Sequence, residues 1–256
     1  MPYANNDGVR IHYQVEGTGP ALVLQHGFSS RLESWYEPGY VDALQQDYQL
    51  ILIDARGHGA SDKPHDPEAY VLPRRVEDIV AVLDHLDIPK AHFFGYSMGG
   101  WIGFGLVKYA AERFYSLVIG GSYPYARSME EQRQEMRQAL QQGRNALGAG
   151  VEAPSQPGQQ GRVRPNDLEA LLASVTHDRP PLEDVLPRMT MPCLLFAGEA
   201  DPIYPLVREC ARQIPQVTFV SLPGLGHSEA RRRSDLVLPH LTRFLQTVRE
   251  GINAVT

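Results

Sequence analysis

A serine flanked by glycines at every second position is the residue best suited to chemistry in this sequence. The stretch Gly95–Gly99 (GYSMG) follows an apolar run and precedes a helix-prone one, which predicts a strand, a sharp turn and a helix. Glycine on both sides of Ser97 leaves room for the strand and helix to pack against the turn. A helix beginning near Met98 would offer unpaired N–H groups that favour developing negative charge. We expect Ser97 to be a nucleophile.

A serine hydroxyl needs a base, and a histidine and an acid follow later in the chain. Histidine accepts and returns a proton near neutral pH. Of nine histidines, His227 is favoured because it follows the last predicted strand in a glycine-containing loop. Asp201, in a turn stiffened by Pro202, would bond the far nitrogen of His227 and fix its tautomer. Glu199 is the alternative acid.

Apolar runs that alternate with helical patterns would hold these residues in place. Predicted buried strands cover residues 21–25, 50–54, 117–119, 192–198 and 217–220, after a half-exposed strand over residues 9–15, and a further buried strand leads from His92 into the turn at Ser97. Helical patterns lie between or after them at 37–46, 76–86, 206–213 and 236–248, and a further helix is expected to begin near Met98. This alternation predicts a mostly parallel central sheet with helices on both faces, which is an α/β fold.

The pattern changes between residues 122 and 190. Residues 129–142 are polar and helix-prone, and two short apolar patterns near 168–175 and 182–189 predict further helices. Residues 143–165 are rich in Gly, Gln and Pro and have no periodicity. We expect this whole segment to be a small helical cap that contains a flexible loop over residues 143–165.

The division of the chain follows from that change. We predict a core domain over residues 1–121 and 191–256 and a cap, or lid, over residues 122–190. We expect this lid to set which acyl groups enter and to supply no chemistry of its own. Its modest size predicts a preference for short acyl groups of about C2 to C6.

Composition argues against several other classes of protein. The 256 residues are 43% hydrophobic and can bury one large core, and a net charge of -6 disfavours nucleic acid or an anionic membrane as partner. The N-terminus lacks a basic and an apolar region of the kind that directs secretion, so we expect a cytoplasmic protein. Charged residues interrupt the apolar stretch 101–121, which is therefore not a predicted membrane span. Cys193 and Cys210 are expected to be small buried hydrophobes.

The chain resembles the α/β hydrolases over nearly its whole length. The matching features, in chain order, are His26-Gly27-Phe28, Asp54-x-Arg56-Gly57-His58-Gly59-x-Ser61-Asp62, Gly95-Tyr96-Ser97-Met98-Gly99-Gly100, and Asp201 followed by His227. The resemblance implies a Ser–Asp–His triad in that order along the chain. It also implies the small-cap, serine esterase-like subgroup, in which the cap follows the sixth strand.

The same resemblance implies an oxyanion hole. A carbonyl attacked by Ser97 becomes an oxyanion, which calls for two converging donors, and the resemblance assigns them to the backbone N–H groups of Phe28 and Met98. It implies that His26 supports this loop and is not the base. It implies loop-ordering roles for the charged residues of the next motif, which are Asp54, Arg56, His58 and Asp62. No zinc-type spacing or dinucleotide motif occurs, so we expect no metal and no cofactor.

Three kinds of function remain open. The first is a serine hydrolase, a carboxylesterase or lactonase acting through an acyl-enzyme on Ser97. The second uses the same triad as a perhydrolase similar to cofactor-free haloperoxidases, as an acyltransferase or as a C–C bond hydrolase. The third is a small-molecule receptor that retains the triad. Epoxide hydrolases and haloalkane dehalogenases also resemble the chain, but they have aspartate where this chain has Ser97.

The expected partner is a small ester-like molecule, and the sequence does not indicate an oligomeric state. Aromatic residues near strand ends or in the insertion are candidates for an apolar pocket. These candidates are Trp35, Tyr96, Trp101, Tyr123, Tyr125 and Tyr204. Most aromatic residues of any chain belong to the core, which is the alternative for each of them.

Overall fold

An eight-stranded sheet forms the centre of the protein in the computed structural model, which describes residues 2–142 and 167–253. In chain order the strands are β1 (Tyr3–Asn6), β2 (Val9–Glu16), β3 (Ala21–Gln25), β4 (Gln49–Ile53), β5 (Ala91–Tyr96), β6 (Phe114–Gly120), β7 (Cys193–Gly198) and β8 (Val217–Leu222). Their spatial order is β1-β2-β4-β3-β5-β6-β7-β8. The first two strands pair antiparallel and the other six run parallel. The predicted mostly parallel sheet is confirmed.

Helices connect the parallel strands. In chain order they are α1 (Tyr40–Leu44), α2 (Leu72–His85), α3 (Met98–Tyr109), α4 (Glu130–Gln141), α5 (Leu168–Ser174), α6 (Tyr204–Ala211), α7 (His227–Arg232) and α8 (Ser234–Asn253). Short 3₁₀ turns lie at Leu32–Trp35, Pro67–Tyr70, Ala111–Arg113 and Glu183–Arg188.

Both faces of the sheet are covered, as continuous apolar strands require. In β5, the neighbouring residues Phe93 and Phe94 are both fully buried and belong to different core clusters. Phe93 packs in the cluster that includes α2, α3 and α6, whereas Phe94 packs in the cluster that includes α1 and α8. Successive side chains of a strand point to opposite faces. The sheet therefore sits between two helical layers.

Several predicted boundaries differ from the structure. The helix expected over 37–46 is shortened to α1, because Gly39 adopts a left-handed conformation (φ 84°) just before it. The closing helix is longer than expected and runs over Ser234–Asn253. Strand β1 was not predicted, and it extends the sheet by pairing along β2.

Some apolar residues of the insertion form a small separate cluster, and others belong to the main core. Met129 and Met136, on or beside α4, pack with Leu171 and Val175, on or beside α5. The last part, which we predicted as a third helix, is the 3₁₀ turn Glu183–Arg188, with Pro187 inside it. The apolar side chains of that turn and its flanks belong to the main core. Residues 143–165, predicted to be a loop, lie outside the described residues.

Cys193 and Cys210 are both fully buried, as predicted. Burial raises the pKa of the Cys193 thiol to about 12, so the group stays protonated at neutral pH. Within residues 2–142 and 167–253, none of the helices combines the length and the apolar character that crossing a bilayer demands.

Candidate active site

Ser97 occupies a strained turn between β5 and α3. Its backbone has φ 54° and ψ -110°, a conformation that costs about 1–3 kcal/mol for a residue other than glycine. The surrounding structure holds it there: the Ser97 N–H donates to the Gly120 carbonyl (2.8 Å), and the Ser97 carbonyl accepts from the Trp101 N–H (2.9 Å). The turn is thus fixed from the neighbouring strand β6 and from the first turn of α3.

Two glycines allow this turn to pack against its neighbours. A Cβ atom on Gly99 would lie 2.1 Å from the Gln25 carbonyl oxygen, and one on Gly95 would lie 2.4 Å from the Gly99 carbonyl oxygen. Both positions are far inside van der Waals contact, and the obstructing atoms are backbone. Any larger residue at Gly95 or Gly99 would displace β5, α3 or the end of β3.

A chain of hydrogen bonds links Ser97 to His227 and Asp201. The His227 Nε2 atom lies 2.9 Å from the Ser97 Oγ atom, and its Nδ1 atom lies 2.5 Å from the Asp201 Oδ2 atom. The Asp201 side chain is buried and the His227 side chain is 38% exposed. The structure therefore brings together the three residues predicted as a triad, with the histidine in the middle and open to solvent.

His227 differs in one respect from the prediction: it is the first residue of helix α7 and not part of a loop. Gly226 precedes it in an extended conformation, and the Gly226 N–H donates to the Glu229 side chain (2.8 Å). The buried Tyr96 hydroxyl donates to the His227 carbonyl. These contacts hold the backbone on either side of the imidazole.

The two candidate acids have different partners. Asp201 accepts from the Ile203 N–H (3.1 Å) as well as bonding His227. Glu199 is exposed and accepts from the Ser221 hydroxyl (2.6 Å). The structure thus favours Asp201 as the acid, since among the described contacts Glu199 makes none to His227.

The loop after β3 approaches the serine closely. A Cβ atom on Gly27 would lie 3.9 Å from the Ser97 Oγ atom. Among the hydrogen bonds of residues 2–142 and 167–253, none uses the N–H group of Phe28 or Met98. Met98 follows Ser97 in the chain, and Phe28 follows Gly27, which packs beside Ser97. Neither predicted oxyanion donor has a protein acceptor in the described structure.

His26 and His58 are buried in this loop region, and each ring has both nitrogens bonded. The His26 Nδ1 lies 2.7 Å from the Gly27 carbonyl oxygen, and its Nε2 accepts from the Ala55 N–H (3.1 Å). The His58 Nδ1 lies 3.0 Å from the Arg56 carbonyl oxygen, and its Nε2 accepts from the Ser29 N–H (3.1 Å). Neither ring has a nitrogen left to activate a nucleophile.

The charged residues of the same motif are also tied to nearby groups. Asp54 accepts from the Leu32 and Ala60 N–H groups (2.8 and 2.9 Å). Arg56 forms a two-pronged pair with Asp78 (2.6 and 2.5 Å). Asp62, the last of the four, pairs with Arg10 at 2.9 Å. These contacts are those of residues that order a loop.

A cavity of about 170 Å³ adjoins this site. Phe28 and Met98 contribute to its wall, and the insertion closes it with Met129 and Val175. Ser97 and His227 are not in the wall, so the cavity lies next to the reacting atoms on the side of the oxyanion donors. A larger and more open depression of about 730 Å³ lies at the amino ends of β7 and β8, away from the triad.

Of the six predicted pocket residues, Trp101 lines this cavity and the other five do not. Trp35 is fully buried against Tyr40 and Phe94 in the α1 and α8 layer. Tyr96 is buried and supports the His227 backbone, as described above. These positions follow from the sheet face that each ring occupies, which proximity to a strand end does not reveal.

The remaining three aromatic residues lie outside the cavity wall. Tyr123 and Tyr125 contact each other after β6, and the Tyr125 hydroxyl accepts from the Gln213 amide (3.0 Å). Tyr204 bonds the Ser221 hydroxyl (2.8 Å), near the outer strand β8. None of the three contacts the triad side chains through a described hydrogen bond.

Two arginines that the sequence reasoning missed do line the cavity. Arg75, on α2, is only 4% exposed, and Arg179 lies in the insertion with its guanidinium 4.7 Å from the centre of the Trp101 ring. Arg75 stands among Leu72, Val76 and Ile79, which form the apolar face of α2. An arginine on the apolar stripe of a helix is the signal that could have identified it.

The described residues contain no group of three or more His, Cys, Asp or Glu side chains arranged to hold a metal ion. The groups found around the turn at Ser97 are the hydroxyl of that residue, the His227 imidazole, the Asp201 carboxylate and backbone N–H donors. This set can activate a nucleophile, transfer its proton and stabilise an oxyanion.

A profile of the alpha/beta hydrolase fold family matches residues 20–156. That range is more than half of the chain, so the protein belongs to the α/β hydrolases and is a hydrolase by class. Solved structures with the same fold agree. An enol-lactonase from Burkholderia xenovorans LB400 is 25% identical, with a TM-score of 0.81 over 96% of this chain and 100% of its own.

Two relatives are informative at the level of sequence. A Bacillus subtilis protein, provisionally named 2-succinyl-6-hydroxy-2,4-cyclohexadiene-1-carboxylate synthase, is 28% identical over 95% of this chain and 97% of its own length. The 3-oxoadipate enol-lactonase 2 of Acinetobacter baylyi is 35% identical over 44% of this chain and 42% of its own length. Similarity therefore extends both to a synthase and to a lactonase.

Proposed function

We propose that the protein hydrolyses carboxylic esters or lactones through an acyl-enzyme on Ser97. The observation that carries the proposal is the unbroken hydrogen-bonded chain from Ser97 through His227 to the buried Asp201. A serine in such a chain can lose its proton as it attacks a carbonyl. The similarity to two enol-lactonases supports a lactone or ester as the electrophile.

The proposed reaction has two halves. In acylation the Ser97 oxygen bonds the carbonyl carbon, His227 takes the hydroxyl proton, and the oxyanion lies between the Phe28 and Met98 N–H groups. Collapse of the oxyanion breaks the bond to the alkoxide, which leaves with the proton from His227. In deacylation a water molecule gives a proton to His227 and attacks the acyl carbon. The bond between the acyl carbon and the Ser97 oxygen then breaks, His227 returns the proton to that oxygen, and the acid is released.

Asp201 acts through the imidazole. Its carboxylate accepts from the Nδ1 side, so the Nε2 lone pair faces the serine hydroxyl, and its negative charge stabilises the imidazolium formed in each half-reaction. The 38% exposure of His227 leaves room for a water molecule in the second half.

A second candidate uses the same triad without net hydrolysis. The full-length similarity to a protein named as a synthase favours it. Here His227 and Ser97 would serve as a base for elimination or for acyl transfer to an acceptor other than water. Analysis of products separates the two candidates: hydrolysis of an ester yields an acid and an alcohol in equal amounts, and hydrolysis of a lactone yields one ring-opened acid.

Labelling with a fluorophosphonate tests the proposal directly. Intact-mass analysis should find one adduct on the native protein, none on Ser97→Ala, and one on the matched control Ser221→Ala, whose hydroxyl bonds Glu199 and Tyr204 instead of a histidine. The native protein should also release p-nitrophenol from short acyl esters with an initial burst. Persistent labelling of Ser97→Ala would falsify the assignment of the nucleophile.

A further inference from the structure

Arg179 places a positive charge in the wall of the cavity beside the Ser97 turn. Its guanidinium stacks on the Trp101 ring at 4.7 Å, and the side chain is partly buried. Within residues 2–142 and 167–253 its guanidinium has no hydrogen bond and no ion pair; only its backbone groups bond, to Arg127. A guanidinium carries five N–H donors, so this side chain has its full capacity available to a ligand.

Arg75 adds a second cation to the same wall. Its guanidinium donates to the carbonyls of Tyr70 (2.7 Å) and Ser174 (3.0 Å) and lies 3.4 Å from the Met98 sulfur. No carboxylate bonds it among the described contacts. The charge of Arg75 therefore remains in the cavity wall, next to the residue whose N–H is a proposed oxyanion donor.

The nearby acids already have partners. Asp178, which also lines the cavity, accepts from Arg133 (2.8 Å) and from the Met129 N–H (2.9 Å). Among the described residues, the cavity wall thus has an excess of positive charge.

Burial is the main influence on the pKa of both guanidiniums, and neighbouring arginines add to it. Burial, reinforced by Arg127 and Arg75, lowers the pKa of Arg179 to about 9, and burial lowers the pKa of Arg75 to about 10. Both groups are still cationic at neutral pH. A cation that has lost water without gaining a counter-charge is unfavourable, and a bound anion would offset that cost.

We propose that this cavity holds a carboxylate of the substrate, with Arg179 as its main ligand and Arg75 as a supporting charge. The inference rests on the proposed function and narrows it to esters or lactones that carry a free carboxylate. Guanidinium binds carboxylate with two parallel hydrogen bonds, a geometry that ammonium cannot reproduce. Trp101 and Met98 both lie within the first helical turn after Ser97, so the carboxylate and the reacting carbonyl should be separated by a short chain.

Matched pairs of substrates test this proposal. The probes are the monoethyl esters of succinate, glutarate and adipate, each compared with the ester in which a carboxamide replaces the carboxylate. Ethanol release gives kcat/KM for each member of a pair. We expect the native protein to favour the anionic member of at least one pair by about tenfold or more, mainly through KM.

Substitutions then locate the effect. Arg179→Gln should lower the preference for the anionic ester by about tenfold, whereas Arg179→Lys, which keeps the charge but not the fork, should retain part of it. The matched control is Arg208→Gln, because Arg208 also stacks on an aromatic ring, Tyr204, but does not line the cavity. An unchanged preference in Arg179→Gln, with the protein folded by circular dichroism, overturns the proposal.

Direct binding keeps this test separate from the proposed function. Titration calorimetry with glutarate on Ser97→Ala should give measurable binding that Arg179→Gln weakens by about tenfold. If neither ester of any pair is hydrolysed and Ser97 is not labelled, the proposed function fails, and glutarate binding alone then decides the inference. Equal glutarate affinity with and without Arg179 would overturn it.

Discussion

The molecule contains two pairs in which a histidine bonds a buried aspartate. The two pairs have similar geometry and different surroundings. In the first, the His12 Nδ1 atom lies 2.8 Å from the Asp54 Oδ2 atom, and both side chains are 1% exposed. In the second, the His227 Nδ1 atom lies 2.5 Å from the Asp201 Oδ2 atom, and the histidine is 38% exposed. The pairing itself is therefore not what distinguishes a catalytic site.

The difference lies at the other ring nitrogen. The His12 Nε2 atom is buried and has no hydrogen-bond partner among the described residues, whereas the His227 Nε2 atom meets the Ser97 hydroxyl. Asp54 also accepts from two backbone N–H groups, which fixes the loop between β4 and α2. The first pair holds a loop in place, and in the proposed function the second pair supplies a base to Ser97, with the His227 side chain open to solvent.

Matched amide substitutions should separate the two roles, and they carry the largest expected effect. Asp201→Asn should lower kcat for ester hydrolysis by about a thousandfold to ten-thousandfold, because the amide no longer stabilises the imidazolium or its tautomer. The free energy of unfolding should change less than the activity does. Steady-state kinetics and urea denaturation of the same samples measure both quantities.

Asp54→Asn should show the opposite balance. Both Asp54 oxygens accept hydrogen bonds, and an amide offers one acceptor oxygen and turns an NH2 donor towards the remaining N–H, so the free energy of unfolding should fall by about 3 kcal/mol. The kcat per folded molecule should stay within about tenfold of the native value. If Asp54→Asn lost activity to the same extent as Asp201→Asn while folded, the division between the two pairs would be wrong.

The sequence was sufficient to predict that Ser97, Asp201 and His227 meet, and to predict the sheet that positions them, for a physical reason. Parallel strands bring their carboxyl ends to one edge, so residues that follow β5, β7 and β8 had to meet there. Ser97 and His227 could therefore be paired across the sequence once the strands were recognised. The division into core and cap domains and the roles of the site residues stay predictions.

The pocket could not be predicted in the same way. Its wall combines α2, α3 and the insertion, and the sequence does not reveal how an inserted segment folds back over a core. Their positions near strand ends make Trp35 and Tyr204 candidates for the pocket, but neither residue lines the cavity. Arg179 carries no local motif, and it gains its position only when the insertion packs on Trp101.

A further prediction concerns how the stability of the loop region around Asp54 depends on pH. Burial, with the neighbouring His26, lowers the pKa of His58 from 6.5 to about 3. Between those values the unfolded chain binds a proton that the folded chain does not, so the free energy of unfolding falls as pH decreases from 6.5 towards 3. One such proton contributes a slope of at most about 1.4 kcal/mol per pH unit.

His58→Gln should remove that contribution. Its unfolding free energy, measured by urea denaturation at several values between pH 6.5 and 4.5, should depend less steeply on pH than that of the native protein. His240→Gln is a suitable control, because His240 is an exposed residue of α8. An equal slope in His58→Gln and the native protein would show that His58 is not the source of the acid sensitivity.

The smallest expected effect is at Glu199, the acid two residues from Asp201. Its carboxylate accepts from the Ser221 hydroxyl at 2.6 Å and is exposed to solvent, so removing its charge should change activity and stability little. Glu199→Gln keeps an acceptor for the Ser221 hydroxyl, and a surface hydrogen bond of this kind contributes about 1 kcal/mol or less to stability. We therefore expect kcat/KM within about threefold of the native value. Kinetics of Glu199→Gln and Asp201→Asn under one set of conditions decide the matter: an inactive Glu199→Gln beside an active Asp201→Asn would reverse the assignment of the acid and leave the His227–Asp201 pair as a structural contact like that of His12 and Asp54.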